Sequence, residues 1–162
     1  MPRHTFATAL GHCALSWSEL GVSRFELPEA MARPGDITLP PPNILSLAGR
    51  VQRHMAGDLQ DFADVSFDWS DLSEFQRQVY EAALAVKAGF VLSYGELTAA
   101  MGLSRGAARA VGSALGSNPL PLLVPCHRFV GTGGKMVGFS GQGGVATKVR
   151  LLALEGAQLL AE

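Results

Sequence analysis

The stretch LVPCHRFVGTGGK, residues 123–135, sets a cysteine between a proline and a histidine, with an arginine next. The pattern predicts a short apolar strand that runs into a glycine-rich turn. A nearby cation or base favours the thiolate, the nucleophilic form of cysteine. Because adjacent residues of a strand point to opposite faces, Cys126 and His127 can act together only if the chain turns there or a water bridges them. Taken alone, the dipeptide also fits a buried thiol beside an incidental histidine.

The composition is that of a globular protein with a substantial core. The 162 residues are 48% hydrophobic, and the mean hydropathy is +0.20. No apolar run approaches the roughly 20 residues that cross a bilayer, and the start of the chain lacks the apolar core of a signal peptide. Cys13 and Cys126 make no disulfide framework, and no Cys/His cluster offers four metal ligands. We expect a cytoplasmic protein with free thiols and no membrane partner.

Charge is divided unevenly along the chain. Residues 1–83 contain six Lys or Arg against eleven Asp or Glu, whereas residues 84–162 contain seven against three. A nucleic acid would therefore meet the second half of the chain. Two units with differently charged solvated faces would give the same division.

The order of local signals predicts two units, residues 1–70 and 71–162. The first is a small β-rich segment followed by a helix over 44–57 and a linker. In the second, Ser73 and Gln76 form a capping-box pattern, which predicts a helix that runs to Gly89.

Two shorter helices follow, with the spacing of a helix-turn-helix. Ser93 and Glu96 form a second capping box, Gly102 ends that helix, and Ser104 caps the next, which ends at Gly116. Its leading residues are mostly Gly, Ala and Ser, so it has few side chains for reading bases and suits the minor groove. Small residues would equally allow tight packing in a core.

Four segments of the second half occur in an order that resembles the O6-alkylguanine-DNA alkyltransferases, also called methylated-DNA–protein-cysteine methyltransferases. They are Arg109-Ala110-Val111-Gly112, Asn118-Pro119, Pro125-Cys126-His127-Arg128, and Leu151-Leu152 with Glu155-Gly156. The resemblance covers roughly residues 72–157. It implies an α/β N-terminal ribonuclease-H-like domain over 1–70 and a mainly α C-terminal winged helix-turn-helix alkyltransferase domain over 71–162.

The resemblance also implies catalytic roles. Cys126 would accept the alkyl group, and His127 would act through a water as the base that keeps it ionised. Glu155 would hold the imidazole in the right tautomer. Asn118 would fix the turn that carries the cysteine, and Tyr94 would donate a hydrogen bond to the leaving guanine.

The implied partner is double-stranded DNA that contains O6-alkylguanine, with O4-alkylthymine as a further lesion. O6 lies inside the paired duplex, so the damaged nucleotide must be flipped out. Arg109 would fill the gap left in the stack, and the family pattern adds further DNA contacts at Arg105, Ser93, Arg128, Ala110 and Gly112. No cofactor and no metal are implied, and we expect a monomer.

Two positions depart from the usual family pattern, and three other classes of protein stay open. Phe129 replaces the customary Val or Ile, and a long glycine-rich loop is expected over 138–148. The alternatives are a lesion-binding protein without a reactive cysteine, a cysteine hydrolase, and a winged-helix transcription factor. The presence of Cys126 disfavours the first of these.

Overall fold

The computed structural model describes residues 2–28, 39–131 and 144–157, and its first half is built on a three-stranded antiparallel sheet. The strands are β1 (Arg3–Thr8), β2 (Gly11–Ser18) and β3 (Gly21–Glu26), in the spatial order β1-β2-β3. Tight turns join them, and Gly11 and Gly21 at the ends of these turns have positive φ. The predicted β-rich start of the chain is confirmed.

Helix α1 (Pro42–Met55) covers this sheet. Proline at its start is compatible with a helix because the first backbone N–H groups have no partner within it. Its buried residues recur at helical spacing: Ile44, Leu47, Ala48, Val51, His54 and Met55. Gln52 donates a hydrogen bond to the Ala7 carbonyl at 2.8 Å, which ties α1 to β1. The helix predicted over 44–57 is therefore present, shifted by two residues.

The segment after α1 returns to the sheet beside β3. The Val22 N–H donates to the Ser66 carbonyl at 2.9 Å, and the Asp68 N–H donates to the Val22 carbonyl at 2.8 Å. These bonds make a short parallel pairing between Val22 and Phe67. The predicted linker thus extends the sheet over part of its length.

The second half consists mainly of short helices. These are α2 (Glu74–Ala83), α3 (Tyr94–Ala100), α4 (Ala108–Gly116) and α5 (Gly144–Leu154), with a parallel pair of two-residue strands, β4 (Leu92–Ser93) and β5 (Phe129–Val130). Both predicted capping boxes are present, at Ser73 with Gln76 and at Ser93 with Glu96.

Three boundaries differ from the prediction. Helix α2 ends at Ala83 rather than near Gly89, and the carbonyl of Val86 accepts a hydrogen bond from a side chain of the second half. Ser104 makes no side-chain cap, because a 3-10 turn, Arg105–Ala107, precedes α4. In the loop expected over 138–148, residues 144–148 belong to α5, and 138–143 lie outside the described residues.

The two halves share one core. The Phe25 N–H at the end of the sheet donates to the Pro119 carbonyl at 3.0 Å. Buried side chains from both halves form one cluster, including Leu15 and Phe25 from the sheet and Tyr80 and Val111 from the helices. None of the helices in the described ranges is long and apolar enough to cross a bilayer.

We predict that Gly21→Ala destabilises the protein much more than Gly57→Ala. Both glycines have positive φ, so both substitutions strain the backbone, but a Cβ at Gly21 would lie 2.3 Å from the Ser66 carbonyl oxygen. A Cβ at Gly57 meets nothing within 4 Å. The free energy of unfolding, measured with denaturant, should fall by about 1–3 kcal/mol more for Gly21→Ala. Equal losses would mean that the pairing of Val22 with Phe67 is not maintained in solution.

Candidate active site

The candidate nucleophile lies on a turn and not on a strand. A 3-10 turn spans Cys126–Arg128, and the strand begins at Phe129, so the predicted strand is confirmed only at its end. Successive side chains of a 3-10 turn are about 120° apart, compared with 180° on a strand. The turn thus supplies one of the two conditions under which Cys126 and His127 can act together.

Asn118 organises the loop that leads to this turn. Its side-chain amide donates to the Val124 carbonyl at 3.0 Å, and its side-chain oxygen accepts from the Leu120 N–H at 2.9 Å. The same loop holds Leu122 fully buried at φ 72°, in the left-handed region that non-glycine residues rarely adopt. These contacts fix the backbone immediately before Cys126.

The carboxylate of Glu155, which follows α5, lies at the centre of a buried polar cluster. Nε2 of His127 lies 2.9 Å from Oε2 of Glu155. Arg128 donates from Nε to Oε1 at 3.0 Å and from Nη2 to Oε2 at 2.9 Å. Nε2 of His54, from α1, also lies 2.9 Å from Oε2. All of these side chains are buried.

The cluster determines which nitrogen of His127 can act as a base. Burial alone would raise the pKa of Glu155, but hydrogen bonds from His127, His54 and Arg128 hold it well below its usual range. An ionised carboxylate only accepts hydrogen bonds, so His127 carries its proton on Nε2. Among the residues that the structure describes, none bonds to Nδ1 of His127. Nδ1 is therefore the nitrogen with a lone pair to offer.

Burial opposes the resting thiolate that the sequence predicted. It raises the pKa of Cys126 to about 11, although a hydrogen bond from Asn118 and the charge of Lys148 act in the other direction. Burial also lowers the pKa of His127, against the effect of Glu155. At neutral pH the resting site holds a thiol beside an unprotonated imidazole.

The position of Arg128 gives no support to the prediction that it contacts the duplex. Its guanidinium is buried, bonds to Glu155 through two nitrogens and donates from Nη1 to the Val86 carbonyl at 2.6 Å. In the fold, the positive charge of Arg128 neutralises the buried carboxylate of Glu155.

Tyr94 lies at the start of α3, and its ring faces Gly112 of α4. A Cβ at Gly112 would be 3.8 Å from this ring. Nζ of Lys148 is 5.8 Å from the centroid of the same ring and bonds to the Phe129 carbonyl. Burial, with the nearby Cys126, raises the pKa of Tyr94 to about 12, so the phenol keeps its proton and can donate a hydrogen bond.

The remaining predicted DNA contacts lie on the outer side of the helix pair. Arg105, Arg109 and Ala110 are exposed, on the 3-10 turn and the start of α4. Ser93 caps α3, and its hydroxyl accepts the Glu96 N–H at 3.0 Å. The structure thus brings Cys126, His127, Glu155, Asn118 and Tyr94 into one region and leaves both arginines on an open face.

Two side chains of the site were missed in the sequence. His54 lies three residues after Val51 and so continues the apolar face of α1, where a histidine needs a buried partner. Lys148 lies in the segment predicted as a loop, and its burial depends on the start of α5 at Gly144. Periodicity could have indicated His54, whereas Lys148 gave no local signal.

Comparisons with known proteins agree with this arrangement. Residues 74–157 match the family described as 6-O-methylguanine DNA methyltransferase, DNA binding domain. A methylated-DNA–protein-cysteine methyltransferase of Mycolicibacterium paratuberculosis is 44% identical over 116 residues, which is 70% of this chain and 67% of that protein. A DNA base-flipping protein of Thermus thermophilus is 39% identical over 153 residues, 93% of this chain and 97% of that protein.

A solved structure is similar over nearly the whole chain. The Mycobacterium tuberculosis OGT in complex with DNA superposes with a TM-score of 0.76 and 33% identity, and the match covers 94% of this chain and 92% of that one. Fold and site together define a mixed α/β protein that holds a buried cysteine beside a pair of short helices. The chain belongs to the methylated-DNA–protein-cysteine methyltransferase family.

We predict that Glu155→Gln lowers the free energy of unfolding at pH 7 by about 3–5 kcal/mol, because it leaves the buried charge of Arg128 without its partner. The folded-state pKa of Glu155 is lowered, so its contribution is full above the unfolded pKa of about 4.3 and is lost as the pH falls further. The difference in the free energy of unfolding between wild type and variant, measured with denaturant, should therefore become smaller below that pH.

Glu81→Gln is the matched control, because Glu81 pairs with Arg77 on an exposed face. It should change stability little at any pH. Suppose that the difference in the free energy of unfolding between wild type and Glu155→Gln stays constant down to pH 3. This result would contradict an ionised Glu155 in the folded protein.

Proposed function

We propose that this protein repairs DNA by transferring the alkyl group of O6-alkylguanine to Cys126. The observation that carries the proposal is Nδ1 of His127, buried next to Cys126 in the chain and left unbonded within the described residues, while Nε2 bonds to Glu155. A base held in one tautomer beside a buried thiol is the arrangement that activates a nucleophile. The names of the similar proteins support the same reaction.

The reaction balances with the groups that this chain supplies. His127 Nδ1 takes the proton of Cys126, directly or through a water, and the sulfur attacks the alkyl carbon from the side opposite O6. The new C–S bond forms as the C–O6 bond breaks, and the electron pair passes to the guanine. The proton lost by Cys126 ends on the nucleobase, which is restored to guanine within the DNA. Tyr94, which keeps its proton, donates a hydrogen bond to the base as its charge develops.

The resting thiol must lose its proton before or during the transfer. Burial raises the pKa of Cys126 to about 11 and lowers that of His127, so the thiolate–imidazolium pair is disfavoured in the free protein. Lys148, whose pKa burial lowers to about 8, lies near enough to Cys126 to favour the thiolate.

Access to the lesion requires flipping of the nucleotide, and we assign the exposed face of α4 to the duplex. Arg109 would enter the stack in place of the extruded guanine, and Arg105, Ala110, Gly112 and Ser93 would lie along the minor groove. The small side chains of this helix allow close approach to the backbone without reading a sequence. The positive second half of the chain favours the same partner.

The finer description of the fold belongs to this proposal. We infer a ribonuclease-H-like unit over 1–70 and a winged helix-turn-helix unit over 71–162. The three-stranded sheet under α1 supports the first, and the helix pair α3 and α4 supports the second. A cytoplasmic location and a monomeric state stay predictions, as does the absence of a cofactor or metal.

A second candidate is a protein that flips and marks lesions without reacting. The near full-length similarity to a DNA base-flipping protein favours it. Both candidates use the same DNA face, so binding alone cannot distinguish them, whereas the fate of Cys126 can.

We predict that each molecule acts once. The product at Cys126 is a thioether, which offers water no carbonyl to attack, unlike the thioester of a cysteine hydrolase. With an excess of duplex DNA that carries O6-methylguanine, repair should reach a plateau at one lesion per protein molecule. Intact-protein mass should rise by one methyl group, mapped to Cys126.

Cys126→Ala is the control, and it should bind the duplex within a few fold of wild type without gaining mass. Repair well beyond one lesion per molecule would overturn the mechanism in favour of a hydrolase. Binding without any change of mass in the wild type would favour the lesion-marking protein. A label on Cys13 would show that the nucleophile is assigned wrongly.

We predict that Arg109→Ala slows repair of duplex DNA by tenfold or more and leaves reaction with free O6-benzylguanine nearly unchanged. Only the duplex requires a side chain to replace the flipped base, and unstacking costs on the order of a few kcal/mol. Arg24→Ala, an exposed arginine of the acidic half, is the matched control and should leave both rates unchanged. Equal slowing on both substrates would place the role of Arg109 in the fold or the pocket.

A further inference from the structure

Oε2 of Glu155 bonds to two imidazoles that come from opposite halves of the chain. His127 lies on the turn that carries the nucleophile, and His54 lies on α1, 101 residues before Glu155. Both Nε2 atoms are 2.9 Å from this oxygen, and both side chains are fully buried. The proposed reaction uses His127 and Glu155 but gives His54 no role.

The tautomer of His54 is fixed from both sides of the ring. The backbone N–H of Gln60 donates to Nδ1 at 2.9 Å, so Nδ1 is an acceptor. Nε2 faces a carboxylate that only accepts, so Nε2 carries the proton. His54 is therefore a defined donor to Glu155, with its orientation set by the chain that follows α1.

Packing holds the ring in this position. The Phe62 side chain packs against the His54 imidazole, with ring centroids 5.4 Å apart. The guanidinium of Arg50 lies over the Phe62 ring, 5.2 Å from its centroid. Arg50 in turn bonds to Asp64 at 3.0 Å. A buried ring that is bonded at both nitrogens and packed against Phe62 cannot turn away from Glu155 without disrupting several contacts.

We propose that His54 is a positioning residue for alkyl transfer, which holds the Glu155 carboxylate and limits how strongly that carboxylate attracts the proton of His127. The inference rests on the proposed function, since it concerns the base of that reaction. Through this bond the first half of the chain sets the strength of the base in the second half.

The direction of the effect follows from charge. Three N–H donors, from His54, His127 and Arg128, share the negative charge of Oε2, so removal of His54 leaves the other two bonded to a stronger acceptor. The pKa of His127 would then rise, because its protonated form gains more from the carboxylate. The other titratable or charged groups that face His127 are Arg128 and Cys126 in its own turn and Glu155 after α5, and Lys148 of α5 acts on Cys126.

Two substitutions separate the two bonds of His54. Glutamine carries an amide nitrogen near the position of Nε2, so His54→Gln keeps the donor to Glu155 and loses the acceptor for Gln60. Asparagine carries an amide oxygen near the position of Nδ1, so His54→Asn keeps the acceptor for Gln60 and loses the donor to Glu155. Both variants remove the ring and its contact with Phe62, so their difference compares loss of the bond to Glu155 with loss of the bond to Gln60.

Transfer from free O6-benzylguanine, measured from pH 5 to 9, is the first readout. We expect His54→Gln to stay within a few fold of wild type, and His54→Asn to react about tenfold more slowly at neutral pH. The acidic limb of the rate profile should move to higher pH in His54→Asn only, because His127 must be unprotonated to act as a base. Equal rates and equal profiles in the two variants would overturn the proposal, as would a shift to lower pH.

Imidazole nitrogen NMR is the second readout and needs no activity. In the wild type, both His54 and His127 should carry their proton on Nε2, and the midpoint of the His127 titration should rise in His54→Asn but not in His54→Gln. A wild-type His54 with its proton on Nδ1 would overturn the proposal even if neither variant folded. The wild type could show the expected NMR titration but no alkyl transfer. That result would count against the proposed function and not against the coupling of the two histidines.

Discussion

The buried carboxylate of Glu155 is the constraint on which the rest of the site depends. It accepts hydrogen bonds from Arg128 and from two histidines. His127 and Arg128 belong to the turn that carries Cys126, and His54 belongs to α1. A buried carboxylate without such partners would be protonated or would disrupt the core. Because the partners are satisfied only in this arrangement, the end of α5, the turn at Cys126 and the end of α1 must be placed together.

The position of the nucleophile follows from that constraint and from the loop before it. Asn118 bonds to the backbone on both sides of its loop, and the turn at Cys126 begins immediately after it. Helix α4 leads directly into this loop, so its exposed face and the reacting sulfur are joined by about ten residues of fixed backbone. A lesion held by the helix pair would therefore meet the thiol in a defined orientation, which is what in-line displacement requires.

The sequence predicted those features that depend on local chemistry. The two capping boxes, helix α1 and the β-rich start could be predicted because cap residues, glycine and periodicity act within a few positions. The association of Cys126, His127 and Glu155 came from the order of motifs and not from spacing. Where the sequence misled, the cause was a long-range contact: Arg128 looks like a solvated cation until Glu155, 27 residues later, is found beside it.

His54 shows why the partner of a buried side chain could not be predicted. Its partner is 101 residues away, and nothing in the chain around it distinguishes a histidine that bonds to a catalytic carboxylate from one that bonds to a backbone group. The burial of Cys126 could not be predicted from the sequence for a related reason. Neighbours in sequence favour a thiolate, whereas burial by residues from elsewhere in the fold raises its pKa.

The burial of that sulfur also bears on how long an unreacted molecule survives. Burial raises the pKa of Cys126 to about 11, so little of the sulfur is thiolate at neutral pH. The thiolate attacks peroxides, disulfides and small alkylating agents, and oxidation follows its abundance and its exposure. If each molecule acts once, as predicted, any such reaction removes its whole capacity. Burial and protonation of the resting sulfur thus protect it from small reagents in solution.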